Sequence, residues 1–443
     1  MKFNTKTVHK GQKPEKLYGS VSLPIYQTST FKQNEIGEYT YDYSRAGNPT
    51  RTNLEENICS LENGQDAISF SSGLSAINSV VQLFSTGDHM IFTDNVYGGT
   101  FRLLNTIITK YQIEQSWVDT SNINNIVSVI KDNTKLIFIE SPTNPMMTLS
   151  DIKSICDIAH EKGILVAVDN TFMSPYFQRP IELGADFVIH STTKYINGHS
   201  DVIGGVVIAK TREYGEKLHY IQMSVGAVPG PFDCWLTQRS IKTLHLRMQR
   251  HNENGMKVAK FLQKSDKIKK IYYPGLTNHP QYDLAKKQQL DPNGEPGFGA
   301  MISIDLETLD QAAIFCKNLK IFTLAESLGG VESLICHPAK MTHASLGAEK
   351  RKKLGISDGL LRLSVGVEDA DDLMISLMEA VTDSSTPVPD VGKYYVFVYN
   401  PKTPNIRYDQ NPLVAVTDVF RWGFRGINLH MGGYRQYLSL IHI

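Results

Sequence analysis

Three short apolar runs each stop at a residue able to do chemistry, and no other feature of the chain constrains its fold as strongly. Leu165-Val166-Ala167-Val168 stops at Asp169. Phe187-Val188-Ile189 leads into His190-Ser191-Thr192-Thr193-Lys194, and Leu136-Ile137-Phe138-Ile139 leads into a proline-bracketed loop that carries Asn144. Runs of this length, rich in β-branched residues and bounded by polar loops, read as strands of a parallel sheet buried on both faces. In an open α/β sheet the ligand crevice lies outside the carboxyl ends of the strands. One crevice is therefore expected to receive an amine, a carboxylate and an amide.

That trio suits a pyridine aldehyde cofactor. A lysine amine can hold an aldehyde covalently, and an aspartate can keep a pyridine nitrogen protonated. Between the runs the pattern turns helical. Ile152, Ile155, Ile158 and Ala159 follow helical spacing, with Ser150 expected as the N-cap and Gly163 as the left-handed residue that ends the helix. Alternating strands and helices of this kind predict an α/β domain.

Length and charge exclude other classes. A chain of 443 residues exceeds one small core and predicts two domains or more. Its 45 basic and 45 acidic residues balance, which argues against nucleic acid and against a membrane surface as partner. No apolar stretch is long enough to span a bilayer. The polar start, Met1 to Gly11, does not read as a secretory signal. The cysteines (Cys59, Cys156, Cys234, Cys316, Cys336) are scattered without ligand spacing, so the expectation is a cytoplasmic protein with no metal site. His337 and His343 do not change that. Ser, His and Asp in Gly198-His199-Ser200-Asp201 are too close in sequence to form a triad.

The chain divides into four expected parts: an N-terminal arm (1–50), a large domain (51–250), a smaller α+β domain (251–383) and an atypical tail (384–443). The third part is read from charged helical stretches such as Asn252 to Gln263 and strands such as Ala300 to Ile304. The tail is interrupted by Pro387, Pro389, Pro401, Pro404 and Pro412, has clustered aromatics and no glutamate, and ends on the apolar run Leu438 to Ile443. It reads as an appended β-rich module or, by slight preference, as a foreign piece.

Several segments in order resemble the Cys/Met-metabolism family of pyridoxal phosphate (PLP) enzymes, the transsulfuration group. They are Tyr43-Ser44-Arg45-Ala46-Gly47-Asn48-Pro49, Ser71-Ser72-Gly73, Val96-Tyr97-Gly98-Gly99, Ser141-Pro142-Thr143-Asn144-Pro145, Val168-Asp169-Asn170-Thr171, the Lys194 loop, Glu326-Ser327-Leu328-Gly329-Gly330 and Arg362-Leu363-Ser364. The resemblance implies the fold type I (aspartate-aminotransferase-like) architecture, with a mostly parallel sheet and a smaller C-terminal domain. It implies Lys194 as the lysine that bonds the cofactor aldehyde, Asp169 at the ring nitrogen and Tyr97 stacked on the ring. Ser72, Gly73, Leu74, Ser191 and Thr193 would hold the phosphate, joined by Tyr43 and Arg45 from a neighbouring subunit. Arg362 would take the substrate α-carboxylate, with Asn144 and Ser327 beside it, and Glu326 would meet a distal amino group. Homotetramers built from catalytic dimers are implied as well.

The reaction expected first is γ-replacement, forming cystathionine from an O-acylhomoserine and cysteine. Cystathionine γ-lyase and β-lyase chemistry are the alternatives, since all three use the same residues. A non-catalytic scaffold with this fold is the reading from a different class. It predicts a bound cofactor that never turns over, or no lysine–cofactor absorbance.

Overall fold

The computed structural model describes residues 1–344 and 346–381, and in the last segment 394–396, 413–420, 423–428 and 433–437. The apolar runs form a seven-stranded sheet of β1 (Asp66–Phe70), β2 (His89–Thr93), β3 (Glu114–Val118), β4 (Thr134–Glu140), β5 (Leu165–Asp169), β6 (Phe187–His190) and β7 (Gly205–Ala209). Their order is β1-β7-β6-β5-β4-β2-β3. The neighbours from β3 to β6 are parallel, and β7 runs antiparallel to both β6 and β1. Alternate residues supply two cores. Ile137, Ile139, Val166, Val168 and Val188 face one side, and Leu136, Phe138, Ala167, Phe187 and Ile189 face the other. Covering both faces explains why the runs are continuously apolar. Each such side chain fully buried contributes about 1.5–3 kcal/mol.

Helices between the strands follow local signals, with one correction. The helix Ile152–Glu161 is capped by Asp151, whose carboxylate accepts the Ser154 N–H at 3.1 Å, and not by Ser150. Asp151 accepts at the N3 position as a cap should. The Ser150 hydroxyl is turned instead to Thr120, 2.7 Å away in the interior. Gly163 ends the helix at φ +67°, as its position predicts.

A second sheet comprises β8 (Lys270–Tyr272), β9 (Met301–Asp305), β10 (Thr323–Leu324), β11 (Leu334–Cys336) and β12 (Leu360–Ser364), in the order β10-β11-β12-β9-β8. Only β10 and β11 are parallel. The helix expected over 252–263 starts earlier and runs unbroken from Leu244 to Leu262. The change in sequence character near residue 250 therefore falls inside a helix. Arg247 explains the continuity: its buried guanidinium donates to the carbonyls of Tyr195, Ile196 and Ser240, which anchors the first turns to the large sheet.

Both sheets lie in one compact unit, Met1–Ala313 with Phe322–Ala370. A second unit joins Ile314–Ile321 to Asp371–Ile443. Within it the Ser376 hydroxyl accepts the N–H groups of Lys320 and Ile321 at 3.1 and 3.2 Å. The described part of the tail contains four strands, β13 (Tyr394–Val396), β14 (Leu413–Phe420), β15 (Gly423–Asn428) and β16 (Gly433–Tyr437), paired in sequence as an antiparallel meander. The five tail prolines and the final apolar run lie outside the described residues. Among the described residues no helix is long and apolar enough to cross a membrane.

Candidate active site

Asp169 and Lys194 emerge from adjacent strands. Asp169 ends β5, and Lys194 stands in the turn that follows β6. Thr171 joins the two loops. Its hydroxyl accepts the Ser191 N–H at 2.9 Å and donates to Asp169 Oδ1 at 2.5 Å, and its own N–H meets the same carboxylate oxygen at 3.0 Å. Burial pushes the Asp169 carboxyl above its usual range in spite of these bonds. A carboxylate so placed gains from a cation beside it.

Lys194 Nζ donates to the Ser327 hydroxyl at 2.9 Å. Burial, and then the positive charge of Arg362, lower its pKa to about 8, while Glu326 acts the other way. An amine near that value is substantially neutral at physiological pH, as attack on an aldehyde requires. Ser327 adopts φ +103°, a conformation L-residues rarely hold. There its hydroxyl meets Lys194 and its carbonyl accepts from Arg362 Nη2 at 3.0 Å.

Arg362 lies on β12 and is 2% exposed. Its Nη1 donates to Asn144 Oδ1 at 2.8 Å, and its Nε has no hydrogen-bond partner. A buried guanidinium held by neutral groups, with a donor to spare, suits an incoming carboxylate. Glu326 is exposed beside this group. His343 Nε2 meets the Asn144 carbonyl at 3.0 Å, and His337 Nε2 the Asp358 carbonyl at 2.7 Å, so both histidines serve loop carbonyls.

The helix Gly73–Val81 starts beside the Lys194 loop. Ser72 caps it by accepting the Ser75 N–H at 3.1 Å. A Cβ at position 73 would stand 2.9 Å from Cβ of Ser191, so only glycine permits the approach. The first N–H groups of a helix find no acceptor within it, which leaves those of Gly73 and Leu74 to an anion. The Thr193 hydroxyl pairs with the N–H and carbonyl of Gly204. Tyr97 is exposed, its ring over Gly99. Tyr43 and Arg45 are not drawn into the cluster. Both are exposed, the guanidinium sits 5.5 Å from the Tyr43 ring centre, and its Nη1 donates to the Met223 carbonyl.

Glu140 was not singled out from the sequence, where it reads as a loop acid. It ends β4 directly across from Asp169, is buried, and accepts the N–H groups of Tyr97 (2.9 Å) and Asn144 (3.0 Å). The signal was available: Glu140 follows an apolar run as Asp169 does.

These residues fit PLP: an amine for the aldehyde, a buried carboxyl for the ring nitrogen, and helix N–H groups beside Ser191 for the phosphate. Comparison with known proteins agrees. Cystathionine γ-lyase of Bacillus subtilis (strain 168) is 50% identical over 86% of this chain and 99% of its own length. Cystathionine β-lyase of Lactococcus lactis subsp. cremoris (strain MG1363) is 51% identical over 86% of this chain and 98% of its own. The crystal structure of cystathionine γ-synthase from Xanthomonas oryzae pv. oryzae, in complex with aminoacrylate and cysteine, superposes with a TM-score of 0.83 at 42% identity, covering 86% of this chain and 98% of that one. A profile of the Cys/Met metabolism PLP-dependent enzymes matches residues 4–382. The chain belongs to that family, with its PLP dependence and its fold type I architecture.

Proposed function

We propose that the chain cleaves cystathionine at a carbon–sulfur bond. The observation that carries this reading is the buried Arg362 with its unpaired Nε, set between Asn144 and Ser327 and coupled through Ser327 to Lys194. Arg362 and Asn144 hold the α-carboxylate. Glu326 stands on the same loop as Ser327 and supplies an anion for a distal ammonium, which cystathionine has and an O-acylhomoserine lacks. Bound PLP supplies the electron sink for the charge left when the substrate loses its Cα proton. Lys194 Nζ, in its neutral form, takes that proton. Asp169 keeps the ring nitrogen protonated, and the Tyr97 hydroxyl is placed to protonate the departing sulfur. Tyr43 and Arg45, free at the surface of one chain, are assigned to the phosphate of a neighbouring subunit within a tetramer.

The names of the B. subtilis and L. lactis relatives favour a lyase over the γ-synthase expected from the sequence. The Xanthomonas synthase supports γ-replacement as the second reading. A product assay on PLP-loaded protein separates them. From cystathionine and water, γ-cleavage yields cysteine, 2-oxobutanoate and ammonia, and β-cleavage yields homocysteine, pyruvate and ammonia. The expected result is keto-acid release from cystathionine alone. Faster cystathionine formation from O-acylhomoserine plus cysteine would reverse the assignment to synthase.

The matched region ends at residue 382, and the relatives are covered almost to their full length without the tail. Deletion of residues 384–443 is therefore expected to leave PLP uptake and keto-acid release within about twofold of the full chain. A larger loss would give the tail a part in assembly or catalysis.

A further inference from the structure

Glu140 is a buried carboxylate used by none of the steps above. It sits at the carboxyl end of β4, between two loops that do different work. Its Oε2 accepts the N–H of Tyr97, the residue assigned to the cofactor ring, and its Oε1 accepts the N–H of Asn144, whose Oδ1 in turn receives Arg362 Nη1. We propose that Glu140 is a positioning residue that fixes the Tyr97 loop and the Asn144–Arg362 pair at one spacing, so that the ring and the substrate carboxylate site are held as a unit. The inference rests on the reading of Arg362 and Asn144 as that carboxylate site.

Chemistry explains why a carboxylate is used. Two backbone N–H groups converge from opposite loops, and each needs an acceptor when buried. A carboxylate offers two acceptor oxygens, whereas an amide offers one oxygen and turns an NH2 toward the other donor. The cost of an anion here is visible: burial and the nearby Asp169 push the Glu140 carboxyl well above its usual range, opposed by the two N–H donors and by Arg362. A group that served only to fill the interior would carry no such penalty. Aspartate would keep the charge but is one methylene too short to span both loops.

The test uses full-length PLP-loaded protein and reads binding of cystathionine as a change in the cofactor's visible absorption, alongside its circular dichroism. In E140Q the lysine–cofactor band is expected to remain. The Kd and KM for cystathionine should rise about 10- to 100-fold while kcat changes less, and the dichroism of the band should change as Tyr97 shifts. E140D should behave alike, which keeps the test available if E140Q does not fold. Because Glu140 acts through Asn144, E140Q added to N144A should cost less than about twofold further. A merely structural role would lower the melting temperature and leave Kd, dichroism and the KM-to-kcat balance as in the wild type, which would overturn the proposal. So would full additivity with N144A. If the wild type itself fails to bind cystathionine, the functional reading falls first, and this inference with it.

Discussion

Replacing Lys194 with alanine is expected to abolish covalent retention of the cofactor and to lower turnover by about 10³-fold or more. The size of the effect follows from the state of the amine. An unperturbed lysine titrating at 10.5 is neutral in about one molecule in 3,000 at pH 7. With the pKa lowered to about 8, roughly one in ten is neutral, a gain of about 300-fold in reactive amine. Burial is the main cause, and the Arg362 charge the second. Borohydride reduction followed by mass measurement checks the first part: wild-type protein should carry the cofactor mass at residue 194, and K194A should carry none. The pH dependence has a definite sign. Because the folded pKa is depressed, cofactor capture by cofactor-free protein should rise through about pH 8 and level off above it. A rise centred near 10.5 would show that the amine is solvated and that the crevice is not as described. Retention of the covalent mass in K194A would remove Lys194 from its role altogether.

The same crevice shows which parts of a site a sequence exposes. Asp169 and Lys194 were legible because period and composition mark the strands, and a residue that ends a buried parallel strand has few places to go. Ser150 was misplaced by one residue. Both Ser150 and Asp151 are good caps, and the choice was made by an interior partner, Thr120, that is 30 residues away. Glu140 was overlooked because its importance lies in two backbone N–H groups, one 43 residues away, and a backbone donor leaves no mark in residue identity. The pairing of Arg362 with Asn144 spans 218 residues and was reached through family resemblance, not through pattern. Local chemistry was thus readable from the chain, whereas contacts that join the two sheets required the fold.

Arg362 carries two effects that a pair of substitutions can separate. The guanidinium presents a planar fork, which a carboxylate engages through two parallel hydrogen bonds. It also places a positive charge near Lys194, which destabilises the protonated amine. R362Q removes both. Its Kd for cystathionine should rise by about 100-fold or more, since a buried charge pair is lost. The Lys194 titration should also move upward, so cofactor capture at pH 7 should slow. R362K keeps the charge and loses the fork. It should bind cystathionine poorly while its capture of cofactor still rises at the wild-type pH. Glu326 supplies the opposite control, because its carboxylate stabilises protonated Lys194. E326Q should move the amine's titration downward and weaken cystathionine more than an amino acid with no distal ammonium. Calorimetric binding together with the pH profile of cofactor capture measures all three variants. If R362Q and R362K share one capture profile, Arg362 does not act on Lys194 through its charge, and the low pKa of the amine belongs to burial alone.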